Sequence, residues 1–370
     1  MCDVDESRLG QALKRIGGTP DTYKDFRRVL DRKDIDAVIV ATPDHWHAIP
    51  ALQALRSEKD VYLEKPVGHT VREGQLLVEA VRQHQRIVEV GLQQRSGTIF
   101  REAVEWVQSG EIGKVSRVHC FNAWSPASTA GGGRSETLEN LPDGPPPSGV
   151  DYDMWLGPAP KRPFNPNRFH WNYIYFWDYS GGMLLAWGVH LIDIVLWAMK
   201  VKAPRAVATS GGKFVIQDPR ETPDTAEALF EFPDFLLTYS CSHATSFTAG
   251  SPPADHGIQF RGDRATLLVN RFGYQIVPEG GRTEAIVGSK DLDNGAGRHQ
   301  LGFIESVRSR KAPVCSIEDG HRSTTTCQLA NISYRTGRKI FWNPEKEQVI
   351  NDREASRFLS KKYREPWSLG

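Results

Sequence analysis

The sequence predicts two folds in series: an α/β domain built on a parallel sheet, then an α+β domain with an open, mainly antiparallel sheet. Two observations carry this. Up to about residue 114, short apolar β-type runs alternate with helical patterns, which is the signature of βαβ units. From about residue 205 to 270, β-patterned runs (205–215, 225–232, 235–243, 256–261 and 264–270) succeed one another across tight turns such as Pro233-Asp234 and Gly262-Asp263. Strands joined that closely pair antiparallel.

In order, residues 1–4 read as the end of a strand. Leu9, Ala12, Leu13 and Ile16 recur at helical spacing, and Gly17-Gly18 stops that helix. Phe26, Val29 and Leu30 mark a second short helix. DAVIVATP (36–43) is a buried-type strand, and a helix follows from His47 to Leu55 with Pro50 in its first turn. DVYLEKP (60–66) is the next strand, ended by a proline. A helix over 71–84, a strand over 86–91 and a helix over 99–108 complete residues 1–114. From Val115 the second domain (115–370) opens with the strand VSRVHCFNAW, then a long glycine- and proline-rich region and an aromatic cluster over 154–179. An apolar helix spans Gly181 to about Lys200. Helices near 297–310 and 319–335 follow the strands, and the tail 336–370 is expected to pack back.

At 370 residues the chain can bury two cores. A formal net charge of +1 with 25% charged residues argues against a nucleic-acid or membrane-surface specialist. No run reads as a membrane helix. The cysteines (Cys2, Cys120, Cys241, Cys315 and Cys327) are scattered and lack CxxC spacing, so no disulfide framework is indicated.

The chemistry centres on Glu64-Lys65-Pro66. Open α/β sheets bind ligands at the carboxyl ends of their strands, where Lys65 stands. It is either a solvated partner of Glu64 or a proton donor and acceptor tuned by burial. In ATPDHWH (41–47), Asp44, His45 and His47 have no cysteine or glutamate at ligand spacing, so no metal is assigned, and Asp44 suits a helix N-cap. Gln93, Gln94 and Arg95 close the next strand, either binding polar groups or lying in solvated loop. His190 and Asp193 share one helix face. They form either an acid/base pair, with the carboxylate fixing the tautomer, or satisfied core. The paired Gly181-Gly182 permits close backbone approach of a cofactor or a strand. Trp155, Phe169, Trp171, Tyr175 and Trp177 are either a sugar-stacking belt or plain core.

The series ATPDHWH, EKP, VGLQQR (90–95), WLGPAP (155–160) and GGMLLAWGVHLID (181–193) resembles the glucose–fructose oxidoreductase / inositol dehydrogenase / MocA (Gfo/Idh/MocA) family over essentially the whole chain. The resemblance implies an NAD- or NADP-binding Rossmann domain and a C-terminal domain whose open sheet makes a homodimer or homotetramer. It implies oxidation or reduction of a hydroxyl on a small sugar, polyol or glycoside, and no nucleic-acid or membrane partner. Position by position, it implies Lys65 and His190 as the catalytic residues, with Asp193 as a candidate orienter. Asp3, Thr42, Pro43, His47, Glu64, Lys65 and Gln93 fall on cofactor-binding positions. Lys65, Trp155, Trp171, Tyr175 and His190 are the expected substrate contacts. A cytoplasmic location is expected, or a periplasmic one if an export signal precedes Met1.

Two departures stand out. The family's glycine fingerprint belongs upstream of Asp3, so the Rossmann sheet reads as truncated at its first strand and helix, with weak NAD binding expected and the strand at 36–42 left as an edge. The family's aspartate four residues before the histidine is Ala186 here, with Asp178 or Asp193 as possible substitutes. Two other readings therefore stand beside the dehydrogenase: an NAD-assisted glycoside hydrolase on the same scaffold, and a degenerate, non-catalytic member.

Overall fold

The computed structural model describes residues 1–124, 138–246, 255–280, 286–288 and 295–370. Most of the glycine-rich loop expected after Trp124 (125–137) lies outside the described residues.

The first layer contains α1 (Glu6–Ile16), α2 (Phe26–Leu30), β1 (Ala37–Val40), α3 (Ala48–Arg56), β2 (Asp60–Leu63), α4 (Val71–His84), β3 (Val88–Val90) and α5 (Thr98–Gln108). Its sheet is parallel in the order β1-β2-β3, with Val38 opposite Val61 and Val61 opposite Val88. Residues 1–4 contribute one isolated bridge, Cys2 to Tyr23, rather than a strand. Asp5 caps α1 by accepting from the N–H groups of Ser7 and Arg8. Although α1 has the helical spacing expected, it buries none of its residues, and Ile16 stays 64% exposed. Ile39 of β1 is 69% exposed. By contrast β2 is buried along its whole length, as its apolar run predicts. α4 begins with a capping box: Thr70 Oγ1 accepts from the Glu73 N–H and Glu73 accepts from the Thr70 N–H.

The second layer comprises β4 (Arg117–Ala123), α6 (Tyr152–Leu156), α7 (Gly182–Ala186), α8 (Gly188–Met199), β5 (Ala206–Gly212), β6 (Thr225–Glu231), β7 (Leu236–Ser242), β8 (His256–Arg261), β9 (Ala265–Asn270), β10 (Gly273–Pro278), β11 (Ile286–Val287), α9 (Ala296–Ser309), α10 (Ile317–Thr336), β12 (Ile340–Asn343), β13 (Gln348–Val349) and α11 (Arg353–Arg357). Its sheet runs β11-β10-β9-β8-β4-β7-β6-β5-β12-β13. The pairing is antiparallel except where β4 lies parallel to β7. The alternating burial along β6 and β7 shows one face on the core and one open. Strands β10 to β13 are too short or too polar to read from the sequence.

The expected apolar helix from Gly181 to Lys200 is two helices, broken at Trp187. Contrary to the sequence expectation, the span Gly182–Met199 is apolar and long enough to cross a membrane by composition, yet it is 78% buried inside the fold. It packs between β4 and the buried α10, which also touches α4 and so joins the two layers. The paired glycines meet protein, not cofactor: a Cβ on Gly181 would strike the Asn331 amide, and Gly182, at φ +64°, lies against Thr222. The tail folds over α4 and α6, with Lys361 Nζ 3.0 Å from Glu73 Oε1 and Arg364 Nε donating to the Gly157 carbonyl at 2.8 Å.

Behind β3, the fully buried Glu89 carboxylate lies 3.2 Å from His299 Nδ1. Burial pushes the Glu89 carboxyl up to about 7 and the His299 imidazole down. A carboxyl raised on folding contributes stability that is full below its unfolded value and is lost as pH rises through about 7. Glu89→Gln is therefore expected to raise the melting temperature at pH 8 and leave it unchanged near pH 4.5; thermal scans at the two pH values check this.

Candidate active site

Lys65 leaves β2 at its carboxyl end, in a turn whose Lys65-Pro66 peptide is cis. Its ammonium turns toward the second layer and donates to the Ala186 carbonyl at 3.0 Å, at the break between α7 and α8. Position 186 thus supplies a backbone oxygen where the family has a carboxylate. Burial holds the ammonium below its ordinary value and Arg271 adds to this, while Asp44 and Glu64 oppose it.

His190 stands in the first turn of α8. It is buried, its ring centroid is 5.3 Å from that of Trp187, and its Nδ1 has no hydrogen-bond partner. Burial first, then the charges of Lys65, Arg271 and His256, keep the imidazole far below its usual range. Lys65 and His190 are therefore neighbours in one desolvated region, with the Trp187 ring beside His190. Trp124 meets Trp187 edge-on at 4.6 Å, and His256 lies 5.4 Å from it.

The buried Asp44 carboxylate is the anion on the Lys65 side. It accepts from Tyr173 Oη at 2.8 Å and Ser180 Oγ at 2.5 Å, which fixes it instead of freeing it for a metal or a helix cap. His45 points elsewhere, with Nε2 3.0 Å from the Trp155 carbonyl, and burial pushes it down to about 3.

Other expected residues fall differently. Asp193 does not orient His190. It forms a bidentate buried pair with Arg95 (2.8 and 2.9 Å) and accepts from Ser323 Oγ, so its carboxylate is spent holding α8 to the segment after β3 and to α10. The alternative substitute, Asp178, sits 2.7 Å from Arg162. His47 places both ring nitrogens on carbonyls, those of Pro66 (2.6 Å) and Thr42 (2.7 Å). The ring clamps the two strand-end turns together rather than facing a ligand. Trp155 and Tyr175 are core residues, not stacking platforms: Trp155 packs among Tyr152, Phe169 and Tyr179, and Tyr175 lies beneath the Arg220 guanidinium. Trp171 is 50% exposed on the surface. Asp3 accepts from the Asp5 N–H, with Asp5, His170 and Arg8 as its charged neighbours.

The carboxyl ends of β1, β2 and β3 together suit the nicotinamide side of a dinucleotide. Thr42 Oγ1 and Gln93 Oε1 are buried with no partner on either side of Lys65. Pro43 completes the first turn, and Glu64 lies over Gly91, where a Cβ would come within 2.8 Å of its carboxylate. Unpaired buried polar atoms at adjacent strand ends are what a polar ligand would satisfy.

Residues 1–92 match the family model described as oxidoreductase family, NAD-binding Rossmann fold, and residues 133–217 and 292–369 match its C-terminal alpha/beta domain. The chain belongs to the Gfo/Idh/MocA oxidoreductase family. Inositol 2-dehydrogenase of Salmonella typhimurium is 30% identical over 120 residues, 32% of this chain and 36% of that one. The chain thus spans about a third of the length of the curated relatives it matches. Among solved structures, an oxidoreductase domain protein from Kribbella flavida superposes with a TM-score of 0.68 at 18% identity, covering 95% of this chain and 89% of that one. A levoglucosan dehydrogenase in complex with NADH and levoglucosan gives 0.67 at 16% identity, covering 92% and 88%. These likenesses fix the fold as that of Gfo/Idh/MocA proteins. Sequence reasoning missed Arg271, Trp187 and His256 as cleft residues. Arg271 and His256 lie on or beside antiparallel strands far along the chain, and no spacing rule links them to Lys65.

Proposed function

We propose that the protein is an NAD(P)-dependent oxidoreductase acting on a hydroxyl of a small sugar or polyol. The observation that supports this reading is the nearness of Lys65, hydrogen-bonded to the Ala186 carbonyl, to the buried His190, with the Thr42 and Gln93 side-chain oxygens at the neighbouring strand ends buried and without partners among the described residues. When bound, the nicotinamide supplies the hydride acceptor. Lys65, as an ammonium, donates a hydrogen bond to the reacting oxygen and stabilises its developing negative charge. His190, held neutral by burial, accepts the hydroxyl proton as the carbonyl forms. Trp187, edge-on against Trp124, sets apolar surface beside His190. The relatives named as inositol and levoglucosan dehydrogenases support a polyhydroxylated substrate. The test is reduction of NAD and NADP by the purified chain with a panel of polyols and sugars; no turnover with any of them, while the chain binds the cofactor, would count against the reading.

The pH dependence follows from the two shifts. His190 is a base only when neutral, and its value lies well below 6.5, so oxidation should show no inflection near pH 6.5. Lys65 serves as a cation, and its value is lowered from 10.5, so kcat/KM should fall on the alkaline side before pH 10.5. Lys65→Arg should push that alkaline fall out of range. A kcat/KM profile over pH 5–10 for the two proteins checks all three expectations.

A further inference from the structure

Arg271 stands in the turn between β9 and β10, with its guanidinium carbon 4.5 Å from the Trp187 ring centroid. Its Nε is buried and has no hydrogen-bond partner among the described residues. The two buried arginines among the described residues are paired, Arg95 with Asp193 and Arg220 with Asp218, whereas Arg271 is half-buried. Arg271 has no carboxylate partner among the described residues. Burial alone acts on it, pushing its guanidinium down to about 10. A desolvated, unpaired cation is costly, and the Trp187 face offsets only part of that. The carboxylates around Lys65 and His256 have partners of their own: Asp44 accepts from Tyr173 and Ser180, Glu64 from the Lys65 N–H at 3.3 Å, and Asp255 lies 2.7 Å from His256 Nδ1. The Trp187 ring it covers lies 5.3 Å from the His190 ring, which places Arg271 beside the same residues, and its charge acts on both Lys65 and His190.

We propose that the substrate carries an anionic group, a carboxylate or a phosphate ester, and that Arg271 is the specificity-determining residue that binds it. This rests on the oxidoreductase reading only for the location of the substrate. A guanidinium with free N–H groups presents the fork that two anionic oxygens fit, and stacking on Trp187 fixes its plane. An anion there also neutralises the excess positive charge shared with Lys65, so binding pairs a cation already desolvated in the free protein.

The test is calorimetric titration of the full chain with aldonates, uronates and sugar 6-phosphates, each against its neutral parent sugar or polyol. At least one anion is expected to bind about 10- to 100-fold tighter than its parent, the factor that one or two charge-assisted hydrogen bonds supply. The acid and phosphate arms separate the two anion types. Arg271→Gln should erase the preference and Arg271→Lys keep part of it. Because Arg271→Gln removes a half-buried charge with no carboxylate partner among the described residues, its melting temperature should equal or exceed that of the wild type, which separates lost binding from lost folding. Failure of every anion to saturate in the millimolar range, equal binding of the neutral parents, or a preference that survives Arg271→Gln would overturn the proposal. Binding is read without turnover: anions that bind through Arg271 but are never oxidised would sink the oxidoreductase reading and leave this one standing.

Discussion

Lys65→Met is expected to lower kcat by about 10²- to 10⁴-fold, the range that a positioned proton-handling group contributes, with little change in thermal stability. The reasoning is a balance at one atom. Among the described residues the ammonium donates to the Ala186 carbonyl, and a bond from a charged donor contributes roughly 1.5–3 kcal/mol. Against it stands the cost of burying the charge near Arg271, which lowers the ammonium's value. Methionine fills most of the same volume without the charge, so the two effects offset and the melting temperature should move by only a few degrees. In turnover nothing replaces the lost donor to the reacting oxygen. His190→Asn is expected to reduce kcat comparably, and the double variant to be scarcely worse than either single one, because the two residues act as a unit on one hydroxyl. Steady-state kinetics alongside calorimetric unfolding checks this. A wild-type kcat in Lys65→Met would remove Lys65 from the mechanism.

Asp193→Ala is expected to be the most destabilising substitution near the site, costing about 3–5 kcal/mol. It strands the Arg95 guanidinium, which is buried between α8 and α10, and removes the acceptor of the Ser323 hydroxyl. Asp319, at 3.3 Å from Arg95 Nη1, is part-exposed and replaces only some of that pairing. A loss of this size is a large fraction of the 5–15 kcal/mol that typically separates folded from unfolded protein. Replacing both partners with apolar residues, Arg95→Met with Asp193→Leu, should recover most of the loss, since the cost comes from the unpaired charge. Denaturant unfolding of the single and double variants measures this. If Asp193 were the orienter of His190, Asp193→Asn would keep its stability and lose kcat; the structure predicts the reverse order of effects.

What the sequence showed and what it hid divide along physical lines. Periodicity sufficed wherever a strand or helix is buried on a regular face, so β2, α4 and the run from β5 to β9 lie close to where their patterns place them. It failed where packing rather than pattern decides. The helix break at Trp187 has no proline to announce it. Trp155 and Tyr175 sit in an aromatic stretch whose composition suits a stacking surface and a core equally well. Lys65 and His190 could be singled out as candidates because each belongs to a local motif at an element end, and the structure brings them near one another. The partner of Asp193 was not: Arg95 lies 98 residues away, and helical spacing made the nearer His190 the obvious candidate. Arg271 illustrates the same limit, since an arginine in a tight turn carries no sign of the ring it covers.

The proposed mechanism depends on the nearness of Lys65 to the desolvated His190 ring. Its most direct test is the titration of the His190 ring by NMR in the wild type and in Lys65→Met. The structure predicts an imidazole still neutral well below pH 6.5 in the wild type, and a value that moves upward when the neighbouring ammonium is removed. An ordinary value near 6.5 that is indifferent to Lys65→Met would contradict it.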